Sequence, residues 1–183
     1  MHEIRWHGRG GQGGFTVARL LGMAASVFEG KYSLAFPSFG PERRGAPVLG
    51  FTRICDDPIT DRSMMDQCDY AVFLDETLIG PGTLGGIREE GVILVNSVNP
   101  EQYSKMTDRK IVAFDATTLA LEILGRPITN TSMLGALVAV SGVVSLDSVK
   151  EAIRQGMNPS LVEKNCVVVE KACGMVREVI TNG

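Results

Sequence analysis

The first residues that could do chemistry are Gly8-Arg9-Gly10-Gly11-Gln12-Gly13-Gly14. Gly8, Gly10 and Gly13 satisfy G-x-G-x-x-G between a short strand pattern, Ile4-Arg5-Trp6-His7, and a helical one. Glycine permits a positive φ and the close approach of a second backbone or a ligand. A helix that starts there presents unsatisfied N–H groups and a partial positive charge to an anion. Gly10, Gly11, Gln12 and Gly13 are therefore candidate ligands for a phosphate, and Arg9 would add charge. A purely structural reading also stands, in which the glycines let a helix pack closely on a sheet or a partner. The dinucleotide version of the motif is incomplete. It needs an acid about 20 residues on, at the end of the second strand. Here that strand runs into Pro37-Ser38-Phe39, and Glu29 falls before it. No Gly-Lys-Ser/Thr ending makes it a Walker loop.

The second candidate is Pro37-Ser38-Phe39-Gly40-Pro41-Glu42-Arg43-Arg44-Gly45-Ala46-Pro47. Three prolines and two glycines restrict the backbone, and Phe36 and Phe39 call for cover. Arg43 and Arg44 suit bidentate pairing with a carboxylate or a phosphate. A rigid loop with an aromatic and paired arginines fits a docking or anion-clamping role; a solvated arginine pair is the other reading. His7, at a strand end, either contacts a ligand or is a satisfied structural histidine. No acid, base or nucleophile is assigned. Cys55, Cys68, Cys166 and Cys173 form no C-x-x-C pair, so neither zinc nor an iron–sulfur cluster is expected here. Cys166 and Cys173 share a helical face and read as small buried hydrophobes.

The elements that must hold these residues alternate. Helical spacing runs from Phe15 to Phe28. Strand patterns cover Tyr32–Phe36, Val48–Ile54, Tyr70–Leu74, Val92–Val95 and Ile111–Phe114. Leu84 to Glu90 reads as a helix stopped by Gly91, and Asp115 caps a helix that Gly125 ends. Thr131–Val140, Leu146–Arg154 and Leu161–Ile180 complete the helices. In the last, Val162, Cys166, Val169, Cys173, Val176 and Ile180 form one apolar stripe. The expected fold is α/β, a three-layer α/β/α sandwich around a largely parallel sheet, with residues 1–183 as a single domain.

Composition narrows the partners. Apolar residues make up 44% and charged residues 21%, ordinary globular usage that argues against a disordered chain. Residues 1–53 carry a net +4 and the remainder a net −7. That asymmetry points to an anionic ligand or partner on the N-terminal half, or to surface charge without a role. It is too weak for a nucleic-acid footprint. No apolar stretch spans a bilayer and no leader pattern is present. A cytoplasmic protein bound to no membrane is expected.

Three runs in order, His7-Gly8-Arg9-Gly10-Gly11-Gln12-Gly13, Pro37-Ser38-Phe39-Gly40-Pro41-Glu42-Arg43-Arg44-Gly45 and Asn130-Thr131-Ser132-Met133-Leu134-Gly135-Ala136, resemble the gamma subunit of 2-oxoacid:ferredoxin oxidoreductases, most closely the pyruvate branch. The resemblance covers essentially the whole chain. It implies a complex that converts pyruvate, coenzyme A and oxidised ferredoxin to acetyl-CoA, CO2 and reduced ferredoxin. Thiamine diphosphate and iron–sulfur clusters would sit in partner alpha, beta and delta subunits. The gamma chain would close over coenzyme A without doing the redox chemistry. Gly10, Gly11, Gln12 and Gly13 would then contact coenzyme A or the subunit that holds it, and Arg43 and Arg44 would steer phosphates or lock an interface. A sibling complex for 2-oxoglutarate, branched 2-oxoacids or indolepyruvate, a stand-alone nucleotide-binding protein and a purely structural assembly subunit remain open at this point.

Overall fold

Strand formation follows the apolar runs. The computed structural model describes residues 1–38, 45–103 and 105–182. Six strands, β1 (His2–Arg9), β2 (Tyr32–Pro37), β3 (Pro47–Cys55), β4 (Cys68–Phe73), β5 (Ile87–Asn96) and β6 (Lys110–Phe114), form one sheet in the order β2-β3-β1-β4-β5-β6. β3 is antiparallel to β1 and β2, whereas β1, β4, β5 and β6 pair in parallel. Only β3 opposes the rest, so the sheet is largely parallel, as expected.

The longer helices gather on one face. They are α1 (Gly14–Met23), α3 (Ala116–Leu124), α4 (Asn130–Ser141), α5 (Leu146–Gly156) and α6 (Pro159–Asn182). α4 lies between the sheet and α6 and is buried from Asn130 through Val138. It comes so close to α6 that a Cβ on Gly135 would sit 2.3 Å from the Val169 carbonyl oxygen. The expected stripe of α6 is this contact: Cys166, Val169, Cys173 and Val176 are buried, with Val162 and Ile180 packed at the margin. The other face is covered thinly over β4 and β5 by α2 (Pro81–Leu84) and short 3-10 turns at Glu76–Leu78 and Pro100–Tyr103.

One expected element is corrected. The helix read over 84–90 ends at Leu84, and Ile87 to Glu90 belong to β5. Long-range pairing overrides local propensity there. Cys68 pairs with Ile87 and Tyr70 next with Val92, so β5 bulges between them. Arg109 donates to the Ile87 and Arg88 carbonyls at 2.8 Å each, and the Arg88 side chain is tied to Asp69 and Glu3. Gly91 is not a helix stop. It sits in the bulge, where a Cβ would lie 2.6 Å from Ile87 Cγ2. The helix from Phe15 also changes character, with a wider π turn over Ala24–Phe28.

Candidate functional site: the glycine turn at the carboxyl edge of the sheet

β1 lies inside the sheet, between antiparallel β3 and parallel β4. The strand order therefore reverses direction around it, and ligands of open α/β sheets bind at such a point beyond the carboxyl ends of the strands. The glycine turn lies at that edge. Gly11 has φ 97° and Gly13 φ 77°, both in the left-handed region that favours glycine. The Gln12 N–H donates to the Arg9 carbonyl at 2.9 Å, and the Arg9 N–H donates to Gln12 Oε1 at 2.7 Å, which closes the turn on itself.

Gly13 is the N-cap of α1. Among the described residues no side chain caps this helix, and its first turn holds no acid, so its leading amides keep their hydrogen-bonding capacity for water or a ligand. A Cβ on Gly13 would lie 2.4 Å from Asn130 Nδ2, and that amide donates to the Gly13 carbonyl at 3.4 Å. The second helix start, α4, thus meets the turn through Asn130. Sequence reasoning quoted Asn130 within a motif but gave it no place in the site. The signal was the motif itself; the contact spans 117 residues and left no local trace.

Gly10, Gly11, Gln12 and Gly13 are brought together by this turn. Arg43 and Arg44 lie outside the described residues. Both roots of their segment are described. The Gly10 N–H donates to the Ala46 carbonyl at 2.9 Å and the Gly45 N–H to the Gly10 carbonyl at 3.2 Å. On the other side, the Ser38 N–H donates to the Leu49 carbonyl at 2.8 Å.

Arg9 does not stand free beside the turn. Its Nε donates to Asp75 Oδ2 at 2.7 Å, Nη1 to the Gly45 carbonyl at 3.1 Å and Nη2 to Thr77 Oγ1 at 2.8 Å. Partial burial alone would raise the Asp75 carboxyl; hydrogen bonds from Thr77 and Arg9 outweigh it and hold the group below the usual carboxylate range. Asp75 and Thr77 were not foreseen as parts of the site.

His7 lies in the interior of the sheet's polar face. It is buried and stacked on Phe73, with ring centroids 4.2 Å apart. Burial first, and the Arg5 guanidinium second, push its pKa down to about 3. Among the described residues its Nε2 has no hydrogen-bond partner, so it is not the satisfied histidine of the second reading.

Among the described residues, no group of three or more His, Cys, Asp or Glu side chains is placed to hold a metal. The four cysteines are free thiols at scattered positions, three of them buried, and do not fit an iron–sulfur cluster. Burial pushes the Cys68 thiol up to about 11, away from the thiolate that ligation needs. No described helix is long and apolar enough to cross a membrane.

A family model described as pyruvate ferredoxin/flavodoxin oxidoreductase matches residues 3–175. The chain belongs to this family. It is 46% identical over 183 residues to pyruvate synthase subunit PorC of Methanothermobacter thermautotrophicus, covering 100% of this chain and 99% of that one. It is also 46% identical over 177 residues to the pyruvate/ketoisovalerate oxidoreductases common subunit gamma of Thermococcus litoralis, covering 94% and 95%. The crystal structure of pyruvate oxidoreductase subunit PORC from Thermotoga maritima superimposes with a TM-score of 0.83 at 38% identity, over 94% of this chain and 95% of that one. The fold is thus that of a pyruvate ferredoxin/flavodoxin oxidoreductase family member.

Proposed function

We propose that this chain, as one gamma-type domain over residues 1–183, is the gamma subunit of a cytoplasmic, multi-subunit pyruvate:ferredoxin oxidoreductase. The observation that carries the reading is the end-to-end match to relatives named as gamma or PorC subunits of such enzymes. The complex would convert pyruvate, coenzyme A and oxidised ferredoxin to acetyl-CoA, CO2 and reduced ferredoxin. Thiamine diphosphate, held by partner alpha, beta or delta subunits, supplies the carbanion chemistry there, and iron–sulfur clusters in those subunits carry the electrons. This chain supplies packing and a contact for coenzyme A.

Gly10, Gly11, Gln12 and Gly13 are the proposed contact for coenzyme A, whose pyrophosphate matches the uncapped amides of α1. Positive charge must come from elsewhere, because Arg9 is paired with Asp75. Arg43 and Arg44 are the proposed source. Gly45, which follows Arg44 in the chain, donates to Gly10, and that bond supports the assignment. The test is the pair Arg43→Glu/Arg44→Glu in the reconstituted complex. A charge-assisted hydrogen bond to phosphate contributes about 1.5–3 kcal/mol, so the coenzyme A KM should rise about tenfold or more, or assembly should fail. Normal values of both would remove the two arginines from the site.

A second reading has the same subunit serving a branched-chain 2-oxoacid enzyme as well. It is favoured by the Thermococcus litoralis relative, whose name describes a subunit common to pyruvate and ketoisovalerate enzymes. Recovering the tagged chain from its native cells and identifying the catalytic subunits that accompany it separates one complex from two.

A further inference from the structure

In the sequence, Arg9 looks like a cation offered to an anion. In the fold its guanidinium joins three segments that are far apart in the chain: the glycine turn, Gly45 and the Asp75–Thr77 turn after β4. The acceptor side is built for it. Asp75 Oδ1 receives the Thr77 N–H at 3.0 Å and the Thr77 hydroxyl at 2.6 Å, leaving Oδ2 for Arg9 Nε. The pair is partly sheltered, with side-chain exposures of 35% for Arg9 and 18% for Asp75, so it is screened less than an open surface pair. The Arg9 backbone is fixed at the same time, by its two-way exchange with Gln12.

We infer that Arg9 is a positioning residue. It clamps the Asp75–Thr77 turn and Gly45 against the glycine turn, so that the leading amides of α1 are presented in one fixed geometry, and it does not itself bind the anion. The inference rests on the coenzyme A reading of that turn. The planar fork of arginine satisfies three acceptors in fixed directions, which the single ammonium of lysine cannot do. Three of the five Arg9 N–H groups are already committed to Asp75, Gly45 and Thr77, and the Asp75 carboxylate at 2.7 Å offsets its charge toward a second anion.

The test uses the assembled complex with Arg9→Ala, Arg9→Lys, Asp75→Asn and the double variant Arg9→Ala/Asp75→Asn. Positioning predicts a coenzyme A KM raised about tenfold in Arg9→Ala, with kcat and the pyruvate KM unchanged and little rescue by lysine. Asp75→Asn should shift KM upward too, although it leaves the guanidinium free. A lowered KM in Asp75→Asn, or full rescue by Arg9→Lys, means that Arg9 is a ligand and overturns the inference. Melting temperature reports on the clamp without coenzyme A. The double variant should lose no more than the worse single one, since residues of one network are not additive; additive losses overturn the clamp. Non-additive losses with an unmoved coenzyme A KM leave the clamp but overturn its positioning role. If the Arg43→Glu/Arg44→Glu pair is then silent as well, the coenzyme A reading falls with it.

Discussion

Alternate residues of β1 face two different kinds of interior. Ile4 and Trp6 point into the helix side, into one cluster with Val17, Leu20, Leu21, Leu134 and Leu137. Glu3, Arg5 and His7 belong to the opposite face of the same strand, and they are buried as well. The first side is held by volume and dispersion. The second is held by pairing: Glu3 accepts from Arg53 Nε at 2.9 Å and from Arg88 Nη2 at 2.6 Å, and Arg88 also pairs with Asp69. Phe36 stacks on Phe51 with centroids 5.0 Å apart, and the Arg53 guanidinium lies 6.0 Å above the Phe36 ring. Shape fixes one side and charge complementarity the other, so the two should fail in different ways.

The helix side should give the largest loss. Trp6 is fully buried, and its Nε1 donates to Thr52 Oγ1 at 3.2 Å. Trp6→Ala should destabilise by about 3–5 kcal/mol, the usual range for truncating a large core aromatic. Thr52 keeps its own bond to the Ala18 carbonyl at 2.9 Å, so the loss is mostly cavity. Denaturant unfolding of the isolated chain measures it at any pH between 5 and 8; a loss below 1 kcal/mol would show that the helices can collapse onto the gap.

How much of this was legible follows from the range of the interactions. The apolar strand runs, the glycine turn and the α6 stripe are local patterns, and each appears where the spacing put it, although β1 reaches from His2 to Arg9 and α6 from Pro159 to Asn182. Ile4-Arg5-Trp6-His7 reads only as a short strand, and in the fold both of its faces are covered, because polar side chains can be buried when they are paired. The strand over 87–90 was missed because its partners, Asp69, Glu3 and Arg109, lie 19 to 85 residues away. The contacts of Arg9 were missed for the same reason: Asp75 and Thr77 are 66 and 68 residues on. A motif reveals which groups converge only when they are neighbours in the chain.

The polar side should respond to pH where the helix side does not. His7 has its pKa lowered to about 3 by burial and by Arg5. The unfolded chain takes up a proton near pH 6.5, but the native state refuses it until about pH 3. Stability is therefore full above 6.5 and falls as the pH drops through that window. The slope approaches about 1.4 kcal/mol per pH unit, which gives a loss of about 2 kcal/mol between pH 7 and pH 5. His7→Phe removes the titrating group and keeps a ring against Phe73. Its unfolding free energy should lack that part of the slope, and an identical slope in wild type and variant would place the acid sensitivity elsewhere.

The smallest effect is expected where the polar face is least complete. Arg5 is buried, and Nη2 donates to the Met65 carbonyl at 2.7 Å, while Nε has no partner among the described residues. Among the described residues no carboxylate lies within ion-pair distance of it. The space was made for it: a Cβ on Gly86 would sit 2.2 Å from Arg5 Nη1. Retaining an uncompensated guanidinium in the interior costs free energy that one carbonyl offsets only in part. Arg5→Met keeps most of the stem volume, gives up that charge-assisted bond, worth about 1.5–3 kcal/mol, and relieves a burial cost of the same order by dropping the charge. Its stability should therefore lie within about 1 kcal/mol of wild type or above it, in contrast to Trp6→Ala on the next position of the same strand. The two neighbours are also coupled. Without the Arg5 charge the His7 pKa should rise while staying below 6.5, because burial is the larger of its two causes, and the acid slope should end at a higher pH. A loss of 3 kcal/mol or more in Arg5→Met, with His7 unmoved, would mean that the guanidinium is compensated after all and that pairing on this face is as complete as packing on the other.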